Sequence, residues 1–281
     1  MNSRNSLPSH RQVPWPPIRD LVVDFVAVGR TVPSMCGFIE VDVTAAKMKL
    51  AALVAQGQKL SFTAYLVFCL SRALEKHPML QGYRRGKRIV LFDDVDVNTL
   101  LEKRKPDGSL VPVMYVVRGA NRKSLTEIDQ ELKGAVRSDM LSDPGVKRRA
   151  RLLRLPAFVR RGLLHWARRD PFVMKRHWGT VGLSNVGSQL SSRFAVGTSF
   201  SVLTLAVIAG GTATKVMWHG EQAVPRQMLG MTFLVDHNLV DGAPASRFAE
   251  DFAQLMESAF ALESLSVSEG PSEGPGVDAR S

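Results

Sequence analysis

The sequence predicts an α+β fold: one large mixed β-sheet with flanking helices. Three observations predict it. The apolar patterns run strand, two helices, strands, a helix, strands and a last helix, without the regular strand–helix alternation of a doubly wound sheet. The 281 residues, 45% hydrophobic and 22% charged, can bury a large core, as one large domain or two small ones. No apolar run is long enough to span a membrane, and the two cysteines, Cys36 and Cys69, give neither a disulfide framework nor zinc-ligand spacing.

The elements follow in order. Residues 1–17 are polar and proline-rich and are expected to form a flexible arm without the apolar stretch of a signal peptide. Residues 37–43 (GFIEVDV) alternate apolar and polar, as a half-buried strand does. Residues 44–56 have helical spacing with Thr44 placed to cap them. Residues 61–77 (SFTAYLVFCLSRALEKH) form a strongly apolar helix that Pro78 stops. Residues 88–98 and 110–118 read as strands around the turn Pro106-Asp107-Gly108. Residues 121–140 read as a helix, with Ser124 and Glu127 spaced as a capping box. Four more strands are expected at 180–186, 202–208, 213–218 and 228–235, the middle two separated by a turn at Gly210-Gly211. An amphipathic helix follows at 243–262, and the Ser, Gly, Pro and Glu-rich residues 263–281 are expected to be a disordered tail. A single domain over 18–262 results, and a reducing cytoplasm is the expected setting.

Charge is concentrated. The net charge is +11, yet residues 147–178 hold eleven Lys or Arg against one acid, Asp170. A basic segment on a nearly neutral body points to a local contact. With Pro156 at a helix start, Phe158, Val159, Leu163, Trp166 and Ala167 share one face and Arg160, Arg161, Arg168 and Arg169 lie mostly off it. Two readings stand: a helix docked by its apolar stripe with solvated arginines, or an interfacial helix that touches an anionic membrane or an acidic partner. Nucleic acid is set aside, because no aromatic stacking platform accompanies the charge. The acidic run Asp93, Asp94, Asp96 lacks the spacing of a metal loop and reads as a solvated strand end, so no metal site is expected.

The most informative stretch is Asp236-His237-Asn238-Leu239-Val240-Asp241-Gly242, between a strand and a helix. A side chain on such a turn is held rigidly and still faces a cleft. Imidazole titrates near neutrality, so a fixed neutral histidine can take a proton from a thiol or hydroxyl. An aspartate four residues on can fix the turn, and Gly242 suits a sharp turn or a positive φ. His10, His77, His165, His177 and His219 match no motif.

Taken together, FIEVDVT (38–44), the stretch 60–98, PDGSLVPVMYVVRGANRKSLTEID (106–129), GLSNVG (182–187) and DHNLVDGAPASRF (236–248) resemble, in order, the catalytic domain of the dihydrolipoyl acyltransferase component of 2-oxoacid dehydrogenase complexes. That family shares the chloramphenicol acetyltransferase-like fold. The resemblance covers about residues 18–262. It implies an acyltransferase with coenzyme A as co-substrate and a dihydrolipoyl-type thiol or another acceptor. His237 would be the general base, Ser184 an oxyanion hydrogen-bond donor, and Asp241 a residue that holds the site through a buried arginine, for which Arg19 is the candidate. From its own position Ser184 could equally be a strand-end residue. The resemblance also implies a homotrimer with active sites between subunits.

Departures bear on the substrate. A lipoyl domain ahead of the catalytic part is not expected, hence no bound lipoyl group and a lipoyl-domain carrier acting in trans. Asn238 stands where the family usually has arginine, and the basic insertion 147–178 is foreign to the family pattern. The alternative of another class is a non-catalytic trimeric scaffold that uses that insertion as its contact.

Overall fold

The computed structural model describes residues 9–104, 108, 110–138, 152–190 and 192–266. Helix α1 (Arg19–Gly29) leads into strand β1 (Ser34–Asp42), then α2 (Thr44–Ala55) and α3 (Phe62–Lys76). A 3-10 turn at Pro78–Gln81 precedes a two-stranded ribbon, β2 (Tyr83–Arg85) and β3 (Arg88–Val90). Strands β4 (Val97–Arg104) and β5 (Leu110–Val117) come next, followed by helices α4 (Leu125–Arg137), α5 (Ala157–Arg168) and α6 (Pro171–Trp178). Strands β6 (Val181–Asn185), β7 (Leu205–His219) and β8 (Gln222–Asp236) complete the sheet, and α7 (Gly242–Glu257) and α8 (Leu262–Ser266) close the described chain.

Six strands form one mixed sheet in the order β1-β8-β7-β6-β4-β5. Strand β6 runs parallel to both its neighbours and the other pairs are antiparallel. Alternate residues point to opposite faces, and one face makes the core: Val181, Leu183, Leu205, Val207, Met231, Phe233 and Val235 are buried. Helix α3 packs there, buried from Ala64 through Ser71 because nearly every residue of that run is apolar. Helix α7 adds Phe248 and Phe252, each edge-on to Phe233 at 5.8 and 6.2 Å between ring centres. A second, smaller core of Val28, Tyr83, Ala167, Met174, Val202 and Leu203 joins α1, α5 and α6 to the ribbon.

Several sequence expectations need correction. Gly210-Gly211 is not a turn. It is an irregularity within one continuous strand, where the β7–β8 register shifts between Ala209 and Thr212. The chain at Arg193–Ala195 crosses so close that a Cβ on Gly210 or Gly211 would strike the carbonyl oxygen of Ala195 or Arg193. Residues 88–98 are not one strand, because 91–96 link β3 of the ribbon to β4 of the large sheet. Asp96 there is buried, not solvated: it accepts from Arg118 (2.8 Å) and the Gly119 amide (2.9 Å) and has Lys175 at 3.4 Å. Thr44 is the first helical residue, after Val43 as cap, and its hydroxyl bonds Asp42 (2.5 Å). Residues 263–266 of the expected tail are helical in α8, and Glu263 pairs with Lys49. Helix α1 was not among the expected elements, and no side chain caps its start. Residues 1–8, the Pro106-Asp107 part of the turn, 147–151 of the basic segment and the tail from 267 lie outside the described residues.

Candidate active site

Strand β8 delivers the histidine. Its last residue, Asp236, pairs with Ser34 of β1, and the His237 amide donates to the Pro33 carbonyl at 2.8 Å, so backbone on both sides is fixed. The turn beyond closes on itself: the Leu239 and Val240 amides both donate to the Asp236 carbonyl, at 3.0 and 3.2 Å. The Asp236 side chain, 5% exposed, completes the turn by accepting from the Asn238 amide at 3.0 Å and from Asn238 Nδ2 at 2.8 Å. Against this stiff base the His237 side chain remains 53% exposed. It can meet a second molecule while its backbone cannot drift.

Asp241 lies 3.6 Å from His237 Nδ1, an ion-pair distance too long for a hydrogen bond, and its carboxylate is exposed. The expected Arg19–Asp241 pair is not formed in this chain. Arg19 sits at the start of α1 with its guanidinium 5.9 Å from the centre of the Trp15 ring. Gly242 also departs from expectation: its φ is not positive, and a Cβ there would meet nothing within 4 Å. The sharp change of direction is made by Asp236 and Asn238 instead.

Ser184 lies on the sheet face opposite the core, half-buried on β6. Its cross-strand partner is Ile208 of β7, whose partner in turn is Thr232 of β8. His237 is five residues beyond Thr232 along β8. At about 3.3 Å per residue and about 4.8 Å per strand spacing, Ser184 and His237 of one chain are separated by about 16 Å along the sheet and about 10 Å across it. Their side chains cannot meet around one reacting carbonyl. A separate hollow of about 330 Å³ opens on the other side of β6, lined by Lys47, Leu50, Val54, Phe62, Asn185 and Gly210. Neither His237 nor Ser184 lines it.

Helix α5 does not dock by the whole apolar stripe that the first sequence reading expected; of that stripe Ala167 is buried. Phe158 is 76% and Trp166 60% exposed, and Leu163 is exposed too. Helix α5 docks instead by Arg160, Leu164, Ala167 and Arg168, spaced four, three and one apart as one helical face. The arginines are held by buried acids: Asp24 of α1 accepts from Arg160 (2.5 Å) and Arg161 (2.9 Å). Arg168 donates through Nε to the Val202 carbonyl (3.2 Å) and through a terminal nitrogen to Asp236 Oδ2 (3.3 Å). Burial of the Arg168 guanidinium lowers its pKa, and Asp236 opposes that shift. Hydropathy alone had no means of finding these ion pairs: the acids lie 68 and more than 130 residues from the arginines.

A six-stranded mixed sheet that presents a half-exposed histidine on a rigid turn is the setting in which the comparisons with known proteins fall. The family model for the 2-oxoacid dehydrogenases acyltransferase catalytic domain matches residues 8–140 and 177–263. The chain belongs to that family. It is 25% identical over 213 residues to the dihydrolipoyllysine-residue acetyltransferase component of the pyruvate dehydrogenase complex of Mycoplasma pneumoniae, covering 75% of this chain and 45% of that one. To the corresponding Bacillus subtilis component it is 28% identical over 230 residues, covering 80% of this chain and 45% of the other. The chain thus spans under half the length of these relatives. The cubic core of a pyruvate dehydrogenase multienzyme complex has the same fold, with a TM-score of 0.67 at 16% identity over 94% of this chain and all of that one. The family match passes over 141–176, the stretch that contains α5.

Proposed function

We propose that the protein is a coenzyme A-dependent acyltransferase that moves an acyl group between coenzyme A and a dihydrolipoyl-type thiol or another acceptor. The observation that carries this reading is His237: its backbone is fixed by Pro33 and the Asp236 turn, its ring is half-exposed, and it stands at the end of a strand in a chain of this family.

Transfer between two thiols is nearly balanced in energy, so the barrier lies in forming a thiolate and accommodating a tetrahedral oxyanion. His237 takes the proton from the attacking thiol, a contribution of about 10²- to 10⁴-fold. The sulfur then adds to the thioester carbonyl. The Ser184 hydroxyl donates to the oxyanion, a contribution on the order of 10²-fold. On collapse the carbon–sulfur bond to the leaving thiol breaks, and that thiolate takes the proton back from the imidazolium. Since Ser184 and His237 of one chain lie far apart, this reading places the site between copies of the chain, the His237 turn of one against the β6 wall of the next. We infer a homotrimer, with a lipoyl-domain carrier in trans as the first acceptor to test. Unpaired Cys36 and Cys69 support a reducing, cytoplasmic setting.

The experiment is turnover of acetyl-CoA with free dihydrolipoamide by the purified full chain. His237→Ala should lower kcat about 10³-fold with the melting temperature unchanged. Undiminished turnover in that variant removes the general-base assignment.

A further inference from the structure

We infer that Arg168, on the inserted helix α5, is a positioning residue for the catalytic turn, acting through Asp236. The inference rests on the acyltransferase reading above and extends it to a segment that the family pattern does not include.

The Asp236 carboxylate has two oxygens with separate tasks. Oδ1 accepts both nitrogens of Asn238 and so shapes the turn directly after the histidine. Oδ2 accepts from Arg168. The same guanidinium is anchored to the Val202 carbonyl, and the Asp236 amide donates to the carbonyl of Thr204, two residues further on. The arginine therefore ties the turn to the strand that enters β7. Asp236 is nearly fully buried, and a small hollow of about 160 Å³ beside it is lined by Arg168, Val202, Thr204 and Asn238. With Arg168 removed, the carboxylate must rotate toward solvent or toward another donor, and its hold on Asn238 goes with it. Asp236 directly precedes His237 and shapes the Asn238 turn that follows it, so loss of these bonds loosens the turn from which the imidazole projects. Misplacement of a reacting group by about 1 Å costs on the order of 10²-fold in rate.

The contact is also specific within its helix. Arg160 and Arg161 hold α5 to α1 through Asp24, and Arg160 also donates to the Leu155 carbonyl. The turn contact can therefore be removed with the Asp24 contacts of the helix left in place.

The test uses the full chain with acetyl-CoA and free dihydrolipoamide, and hydrogen exchange of the amides of residues 238–240 as a readout independent of activity. Arg168→Gln should lower kcat on the order of 10- to 100-fold with KM for acetyl-CoA unchanged, and the three amides should exchange faster. Arg168→Lys should recover part of both, because a cation returns without the planar fork. Arg161→Gln should change neither. In Arg168→Gln/Asp236→Asn the losses should be less than multiplicative, since both act on one contact. Wild-type kcat and exchange in Arg168→Gln, or equal losses in Arg161→Gln, overturn the proposal. If Arg168→Gln does not fold, Arg168→Lys decides by the same two measurements. Turnover that survives His237→Ala would defeat the general-base reading, while the exchange contrast between Arg168 and Arg161 variants still judges the contact.

Discussion

The two thiols sit in opposite surroundings. Cys36 is exposed on β1, with its sulfur 3.6 Å from the Thr198 hydroxyl. Cys69 lies inside α3 among Leu66, Leu70 and Ala73, and burial pushes its thiol up to about 12, against the opposing effect of a hydrogen bond with Tyr65. The thiolate is the reactive form, so in the native protein at about pH 8.5 Cys69 should resist iodoacetamide and become labelled only after denaturation, as read by peptide mass spectrometry. Native labelling at Cys69 would show that α3 opens readily. The sign for stability follows: the unfolded thiol ionises first, so this group's contribution is full below about pH 8.5 and falls as pH rises through the alkaline range. The candidate base stands on the His237 turn. That turn was legible in the sequence because its chemistry is local, with histidine, aspartate and glycine within six residues. Arg168 was not legible, because nothing local distinguishes it from the other arginines of its segment.

At the level of elements, the α1–α5 pair is held by a charge cluster beside the small apolar core of Val28 and Ala167. Asp24 is 3% exposed and faces two guanidinium groups. Breaking a buried pair by removing one partner costs about 3–5 kcal/mol, so Asp24→Ala should release α5 and expose residues 152–168 to limited proteolysis while the six-stranded sheet survives. A variant that resists protease as the parent does would show that the small core around Met174 suffices. Elements fixed by near neighbours followed from sequence: Ser124 caps α4 in a reciprocal box with Glu127, and Ser61 caps α3. Elements decided by distant partners did not. Gly210-Gly211 has the composition of a turn, yet the crossing chain at Arg193–Ala195 requires those glycines within a strand. The Pro225 strand end was missed for a related reason. β8 extends beyond the last β1 partner, Met228 with Asp42, so the proline lies where one side of the strand has no ladder to maintain.

For the whole molecule, the sheet register makes a quantitative demand. Ser184 and His237 are fixed on the same rigid sheet, two strands and five residues apart, and no rotamer change closes that gap. If both serve one reaction, each site takes its histidine from one copy and its serine from another. A chain with His237→Ala and a chain with Ser184→Ala are then each impaired alone, but a mixed assembly contains sites with an intact histidine facing an intact serine. With random mixing of equal amounts, about one quarter of the interfaces pair the two unaltered walls, so activity should return to about a quarter of the parent's. The check is to unfold the two variants together, refold them as a mixture, confirm by light scattering that the assembly matches the parent, and measure turnover of acetyl-CoA with dihydrolipoamide. A mixture no more active than the average of the two variants refolded separately would mean that no site is shared between copies. Ser184 would then have to be replaced as oxyanion donor by a group within reach of the His237 turn of the same chain.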